Sequence, residues 1–364
     1  MKNQRSVVSV AVATLVMAWL VGCRQSAQLP TLVATTSPTA APAVPSALPA
    51  ATGIAAGTPI ATAEASPLMI GAIRAKGYPG SDLNVERILP AGANYNRYSV
   101  SYQSDGLKLF GLLTVPTGEE PAGGWPVILL NHGYIPPAEY STEESYARIV
   151  EPMAAANYIV FKPDYRGNGN SEGTPCQPYI CPDYVTDSLN ALASIKRYPD
   201  ANPERIGVWG HSMGGNVTLH ELVISHDIKA AALMAGVVGS YSDLLDWWKA
   251  RVANGVLTTQ NDIQTDQLVN EMVNLHGTPA SNPTFWDPID PTAFVADVRA
   301  PVLIQVGTAD TVVPPSFSQE LATRLQQAGK SVSLHVYPGA DHNLSPDTAT
   351  AMQEAIVFFD QNLK

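Results

Sequence analysis

Residues 208–215 read VWGHSMGG and set Ser212 in a Gly-x-Ser-x-Gly frame. That frame can lift a serine hydroxyl out of a sheet on a strained strand-to-helix turn. A second match, GNSEG at 169–173, holds Ser171 in the same five-residue pattern. What surrounds each serine separates them. ERIGVWG, an apolar strand pattern, leads into Ser212, and the helical NVTLHELVI follows its glycines. Gly210, Gly214 and Gly215 supply the small neighbours that a crowded turn needs. Ser171 is followed by GTPCQP, with Pro175 and Pro178, and reads as a loop residue. The plainer reading of Ser212 is a turn serine in a tight strand–helix link.

A serine hydroxyl is a poor nucleophile at neutral pH and needs a base oriented by an acid. PVLIQVGTADTVVPP offers Asp310 at the end of one buried strand, and VYPGADHNLSP offers His342 at the end of the next. Asp341 is a rival acid, but an adjacent side chain on a turn seldom folds back onto its neighbour's imidazole. His211 is expected to pack beneath the turn. His220 and His226 fall on or at the end of the following helix, His276 in a later segment and His335 within a strand. A tetrahedral intermediate needs two donors. The backbone N–H of Met213 follows the candidate nucleophile, and the loop NHGY, through Tyr134, is expected to supply the second. The same loop could also be no more than a tight exit from a strand.

These residues need a scaffold. NRYSVSYQSDGLKLFGLLTVP alternates on both sides of Ser104-Asp105-Gly106 and predicts a β-hairpin. Apolar strands then take turns with helical segments: PVILLNHG, NYIVFKPDY, ERIGVWG, KAAALMAGV, PVLIQVG and SVSLHVYP. Such alternation predicts an α/β fold, a mostly parallel central sheet flanked by helices, led by antiparallel strands. Ser141 and Glu144 have capping-box spacing and predict a helix start there. Between 240 and 299 the rhythm breaks into a helical, lid-like insertion over the sheet's carboxyl edge. Its Trp247, Trp248 and Trp286 are candidates for an apolar substrate pocket or, equally, for the insertion's own core. AGKS at 328–331 lacks the earlier glycine and the preceding strand of a phosphate loop.

Composition narrows the partners. Apolar residues make up 45% of the 364 residues, enough for a large core, and the net charge is −11. That charge disfavours nucleic acid. Residues 1–22 have a basic start, an apolar run and the ending Leu20-Val21-Gly22-Cys23. This resembles a bacterial lipoprotein signal, with Cys23 as the lipidation site. Residues 23–67 are rich in Ala, Pro and Thr, a composition for a disordered tether. The catalytic domain is then expected over 68–364, outside the cytoplasm, anchored to the cell envelope by lipid alone. There Cys176 and Cys181 are expected to pair as a disulfide. Metal binding is the rival, but no further ligands stand nearby at suitable spacing.

Four stretches carry a wider resemblance: NHGY, DYRGNGNSEG, GHSMGG and GTADTVVPP with GADHNL. Together they resemble α/β-hydrolases, and within them the catalytic domain of the prolyl oligopeptidase (S9) family. The resemblance covers about Tyr98 to the end. It implies an Asp-x-Arg-Gly-x-Gly loop that accounts for Asp164, Arg166, Gly167 and Gly169, with GNSEG as a by-product. It also implies a Ser212–His342–Asp310 triad working without metal or organic cofactor. Larger members carry a β-propeller that filters peptides, and about 70 residues of leader and tether leave no room for one. The expected activity is acyl transfer on short peptides. A carboxylesterase on small esters is the alternative, and a non-catalytic surface binding module a remote third.

Overall fold

Asp105 and Gly106 both take positive φ, 51° and 79°, the conformation that a two-residue hairpin turn demands. In the computed structural model they join β2 (Tyr95–Ser104) to β3 (Leu107–Pro116), paired antiparallel in unbroken register. The structure describes residues 66–175, 181–256 and 260–364. The leader, Cys23, the tether up to residue 65 and Cys176 lie outside the described residues.

The hairpin enters one sheet by two edges. β1 (Asn84–Leu89) pairs antiparallel with β2, and β5 (Ile159–Pro163) pairs antiparallel with β3. From β5 onward the sheet is parallel. It continues through β4 (Trp125–Asn131), β6 (Ala201–His211), β7 (Ala230–Met234), β8 (Val302–Gly307) and β9 (Val332–Tyr337). The order is β1-β2-β3-β5-β4-β6-β7-β8-β9. β4 thus sits where the strand order reverses, the place where ligands bind in open α/β sheets. β1 gave no sequence signal because most of its side chains are exposed and no apolar alternation marks it.

The continuous apolar runs reflect burial on two faces. In β4, Val127 and Leu129 enter one core while Ile128 and Leu130 enter the other. The first core is closed by α1 (Ile70–Ala75), α3 (Asp183–Ile195), α4 (Met213–Ile224) and α8 (Pro315–Gln327). The second is closed by α2 (Ala147–Ala155) and α9 (Thr348–Leu363). The expected insertion is present as α5 (Tyr241–Ala253), α6 (Gln260–His276), α7 (Pro283–Trp286) and two 3-10 turns. Ser240 opens it with a reciprocal capping box to Asp243.

One helix start moves. The Ser141 hydroxyl does accept the Glu144 N–H, at 3.2 Å, but the helix begins only at Ala147. Tyr146 takes φ 65° between them, and a left-handed residue cannot continue a helical run.

Candidate active site

Ser212 stands between β6 and α4, with φ 55° and ψ −122°. This is strained backbone for any residue with a side chain. The surroundings impose it. The Ser212 N–H donates to the Met234 carbonyl at 3.2 Å, and its own carbonyl accepts the Gly215 and Val237 N–H groups at 2.9 and 3.0 Å. A Cβ on Gly214 would strike the Asn131 carbonyl, and one on Gly210 would strike the Gly214 carbonyl. The glycines therefore let the turn lie flat against β4.

His342 stands in the loop after β9, with Nδ1 2.8 Å from Asp310 Oδ2 in the loop after β8. A carboxylate only accepts, so Nδ1 carries a proton, and in the neutral ring the lone pair is on Nε2. The Asp310 side chain is fully buried and that of His342 is 13% exposed. Asp310 Oδ1 accepts the N–H groups of Val312 and Val313 at 2.8 and 2.9 Å, which aims Oδ2 at the ring. Burial pushes the Asp310 carboxyl up, but the His342 contact and the two N–H groups outweigh it and hold the pKa below its ordinary value. Asp341 is occupied elsewhere: its Oδ1 closes the turn by accepting the Asn343 and Ser345 N–H groups at 2.9 and 2.8 Å.

Ser212 and His342 line one cleft of about 660 Å³, together with Tyr134, Trp247 and Trp248. Trp248 donates its indole N–H to Asp266 at 3.2 Å, and Trp247 packs edge-on against Phe317. Trp286 does not reach that cleft. It is 2% exposed, packs on Tyr241 and donates to the Gly277 carbonyl, as a core residue of the insertion. Arg148 and Arg251 line the cleft as well, and neither was anticipated.

Met213 opens α4, where backbone N–H groups have no helical acceptor. Among the described residues, neither its N–H nor that of Tyr134 donates to another protein group. The Gly133 N–H is already taken by the Tyr146 hydroxyl at 2.7 Å. The base of this loop is held by the Asn131 side chain. Its amide donates to Thr218 and Glu221, at 2.9 and 2.6 Å, and its carbonyl accepts from Tyr165 and Ser188, at 3.0 and 2.7 Å. Burial pushes the Glu221 carboxyl up to about 7, against the hydrogen bonds of Ser188 and Asn131.

The second serine resolves differently. The Ser171 hydroxyl accepts the Phe110 N–H at 2.9 Å and ties its loop to β3. Arg166, in the same loop, bonds Asp187 through Nε and Nη2 and also reaches Asp105 and Asp183. His211 packs beneath the turn, as its place in the chain predicts, and its partners are ones the sequence does not show: Nδ1 lies 2.6 Å from the Tyr146 hydroxyl and Nε2 lies 3.1 Å from the His342 carbonyl. A histidine before the elbow serine was a visible signal. Tyr146 had none, because its contact depends on a left-handed backbone.

Structures of the same architecture include Pyrococcus horikoshii acylaminoacyl peptidase (22% identical, TM-score 0.58, 74% of this chain and 42% of that one). They also include a Mycobacterium tuberculosis puromycin-hydrolyzing peptidase (22%, 0.59, 76% and 40%) and Thermoanaerobacterium acetyl xylan esterase 1 (17%, 0.57, 78% and 89%). This chain has the α/β-hydrolase fold. It spans about two fifths of the length of the two solved peptidases. A family model described as serine aminopeptidase, S33, matches residues 126–279, and one described as the prolyl oligopeptidase family matches residues 232–364. These two matches, each over less than half of the chain, support a serine hydrolase. Among curated relatives, the Bacillus subtilis uncharacterized peptidase YtmA is 25% identical over 72% of this chain and 92% of its own length. The Salmonella typhimurium uncharacterized protein YfhR is 26% identical over 80% and 88%.

Proposed function

We propose that this α/β-hydrolase cleaves short peptides by acyl transfer through Ser212, His342 and Asp310. One observation carries the reading: a serine on strained backbone and a carboxylate-oriented histidine open into the same cleft. Ser212 Oγ attacks the substrate carbonyl carbon while His342 Nε2 takes its proton. The tetrahedral oxygen accepts from the Met213 and Tyr134 N–H groups. As the carbon–nitrogen bond breaks, His342 returns the proton to the leaving amine. A water then enters by the same steps and releases the acid. Asp310 holds the imidazole tautomer and stabilises the imidazolium. Trp247 and Trp248 form the apolar wall for an acyl or side-chain group.

An ester substrate is the second reading. The acetyl xylan esterase supports it, since this chain spans 89% of that enzyme. Purified protein tested on peptide anilides and on short-chain nitrophenyl esters separates the two. Ser212→Ala is expected to abolish turnover of either and to prevent labelling by a fluorophosphonate. Full activity in that variant would sink the triad.

We further infer that residues 1–22 are a leader, that Cys23 is lipidated and that 23–67 tether the domain to the cell envelope. The Leu20-Val21-Gly22-Cys23 ending and the composition after it support this. We also infer that Cys176 and Cys181 pair as a disulfide, which the CQPYIC spacing supports. No described helix is long and apolar enough to cross a membrane.

A further inference from the structure

Tyr146 is a large residue at φ 65°, and its hydroxyl touches the loop after β4 and the end of β6. It lies 2.7 Å from the Gly133 nitrogen and 2.6 Å from His211 Nδ1. His211 Nε2 lies 3.1 Å from the His342 carbonyl oxygen. Elementary chemistry sets the direction of each bond. A carbonyl only accepts, so Nε2 carries a proton. Burial, and after it the charge of His342, push the His211 pKa down to about 3, so the ring is neutral with that one N–H. Nδ1 therefore accepts, and the Tyr146 O–H donates to it. With its proton committed, the hydroxyl accepts from the Gly133 N–H. The other neutral tautomer would turn a lone pair toward the His342 carbonyl.

We propose that Tyr146 and His211 are positioning residues that couple the oxyanion loop to the loop carrying the base. The proposal rests on the serine-hydrolase reading above. Three hydrogen bonds run one way: Gly133 N–H to Tyr146, Tyr146 O–H to His211, and His211 N–H to the His342 carbonyl. Two consequences follow for the chemistry. Gly133 is removed as an oxyanion donor, which leaves the next N–H, that of Tyr134, for the task. The Tyr146 hydroxyl, although it stands in the cleft wall, has no proton to offer the substrate. At the other end, the His342 backbone is anchored by one bond while Asp310 holds its ring by another. Tyr146 holds this position on left-handed backbone, a conformation that is strained for a large side chain.

The test uses the full chain, with 4-nitrophenyl acetate for turnover and a fluorophosphonate for the rate of Ser212 modification. Tyr146→Phe removes one oxygen and is expected to lower kcat about 10- to 100-fold, with KM changed less than about twofold. His211→Leu should lose as much. His211→Gln should recover most of that rate, because its amide offers one acceptor and one donor. The double variant Tyr146→Phe/His211→Leu should fall no further than either single change, since the relay acts as one unit. Unchanged kcat in Tyr146→Phe, equal losses in the Gln and Leu variants, or additive losses would each overturn the relay. If Tyr146→Phe does not fold, the Gln and Leu pair decides. Wild-type protein with neither turnover nor labelling would instead remove the serine-hydrolase reading, and the relay with it.

Discussion

At the scale of single residues, a tautomer decides whether the site works. Nδ1 of His342 donates to Asp310, and in the mechanism we propose that leaves Nε2 to take a proton from Ser212. Asp310→Asn offers the ring an N–H in place of an oxygen and favours the reverse tautomer. The expected loss in kcat is about 10³- to 10⁴-fold, with the fold intact by circular dichroism. A loss below tenfold would mean that another group orients His342. Asp341 and Asp310 are both acids close to a strand end, and chain order alone does not choose between them. The turn does: Asp341 is needed by the N–H groups of Asn343 and Ser345.

At the scale of elements, the strand–turn–helix at Ser212 works because β6 and α4 press against β4. Gly214→Ala would drive a methyl group into the Asn131 carbonyl, which is backbone and cannot step aside. We expect a loss of at least about 2 kcal/mol in urea unfolding and slower fluorophosphonate labelling, as the elbow shifts away from its donors. Gly71→Ala is the control. Gly71 sits in α1, and a Cβ there would meet nothing within 4 Å, so alanine should stabilise by about 0.5–1 kcal/mol and leave labelling unchanged. Helices with strong apolar periodicity were legible in the sequence. The start of α2 was not, because Tyr146 takes a backbone that sequence pattern disfavours and tertiary contact enforces.

At the scale of the whole molecule, stability carries a pH signature from the buried network under the oxyanion loop. An unfolded Glu221 releases its proton near 4.5, whereas the folded one holds it to about 7. Between those values the folded state binds a proton that the unfolded state has lost. Stability should therefore fall as pH rises across that window and level off above it. Glu221→Gln should remove this part of the fall, worth roughly 3 kcal/mol, in urea unfolding compared at pH about 4.5 and 7.5. Parallel curves for both proteins would show that Glu221 ionises normally. What the sequence by itself determined was local: the alternation of strands and helices, the insertion, and Ser212 as the elbow serine. Apolar period and the crowding of a tight turn are properties of neighbouring residues, so they can be read along the chain. The tertiary structure alone decided that Trp286 is core rather than cleft and that Tyr146 and His211 join two loops. Those outcomes depend on which strand ends stand side by side. β4 lies between β5 and β6, and β8 beside β9, and that order brings together at one edge residues that lie far apart along the chain.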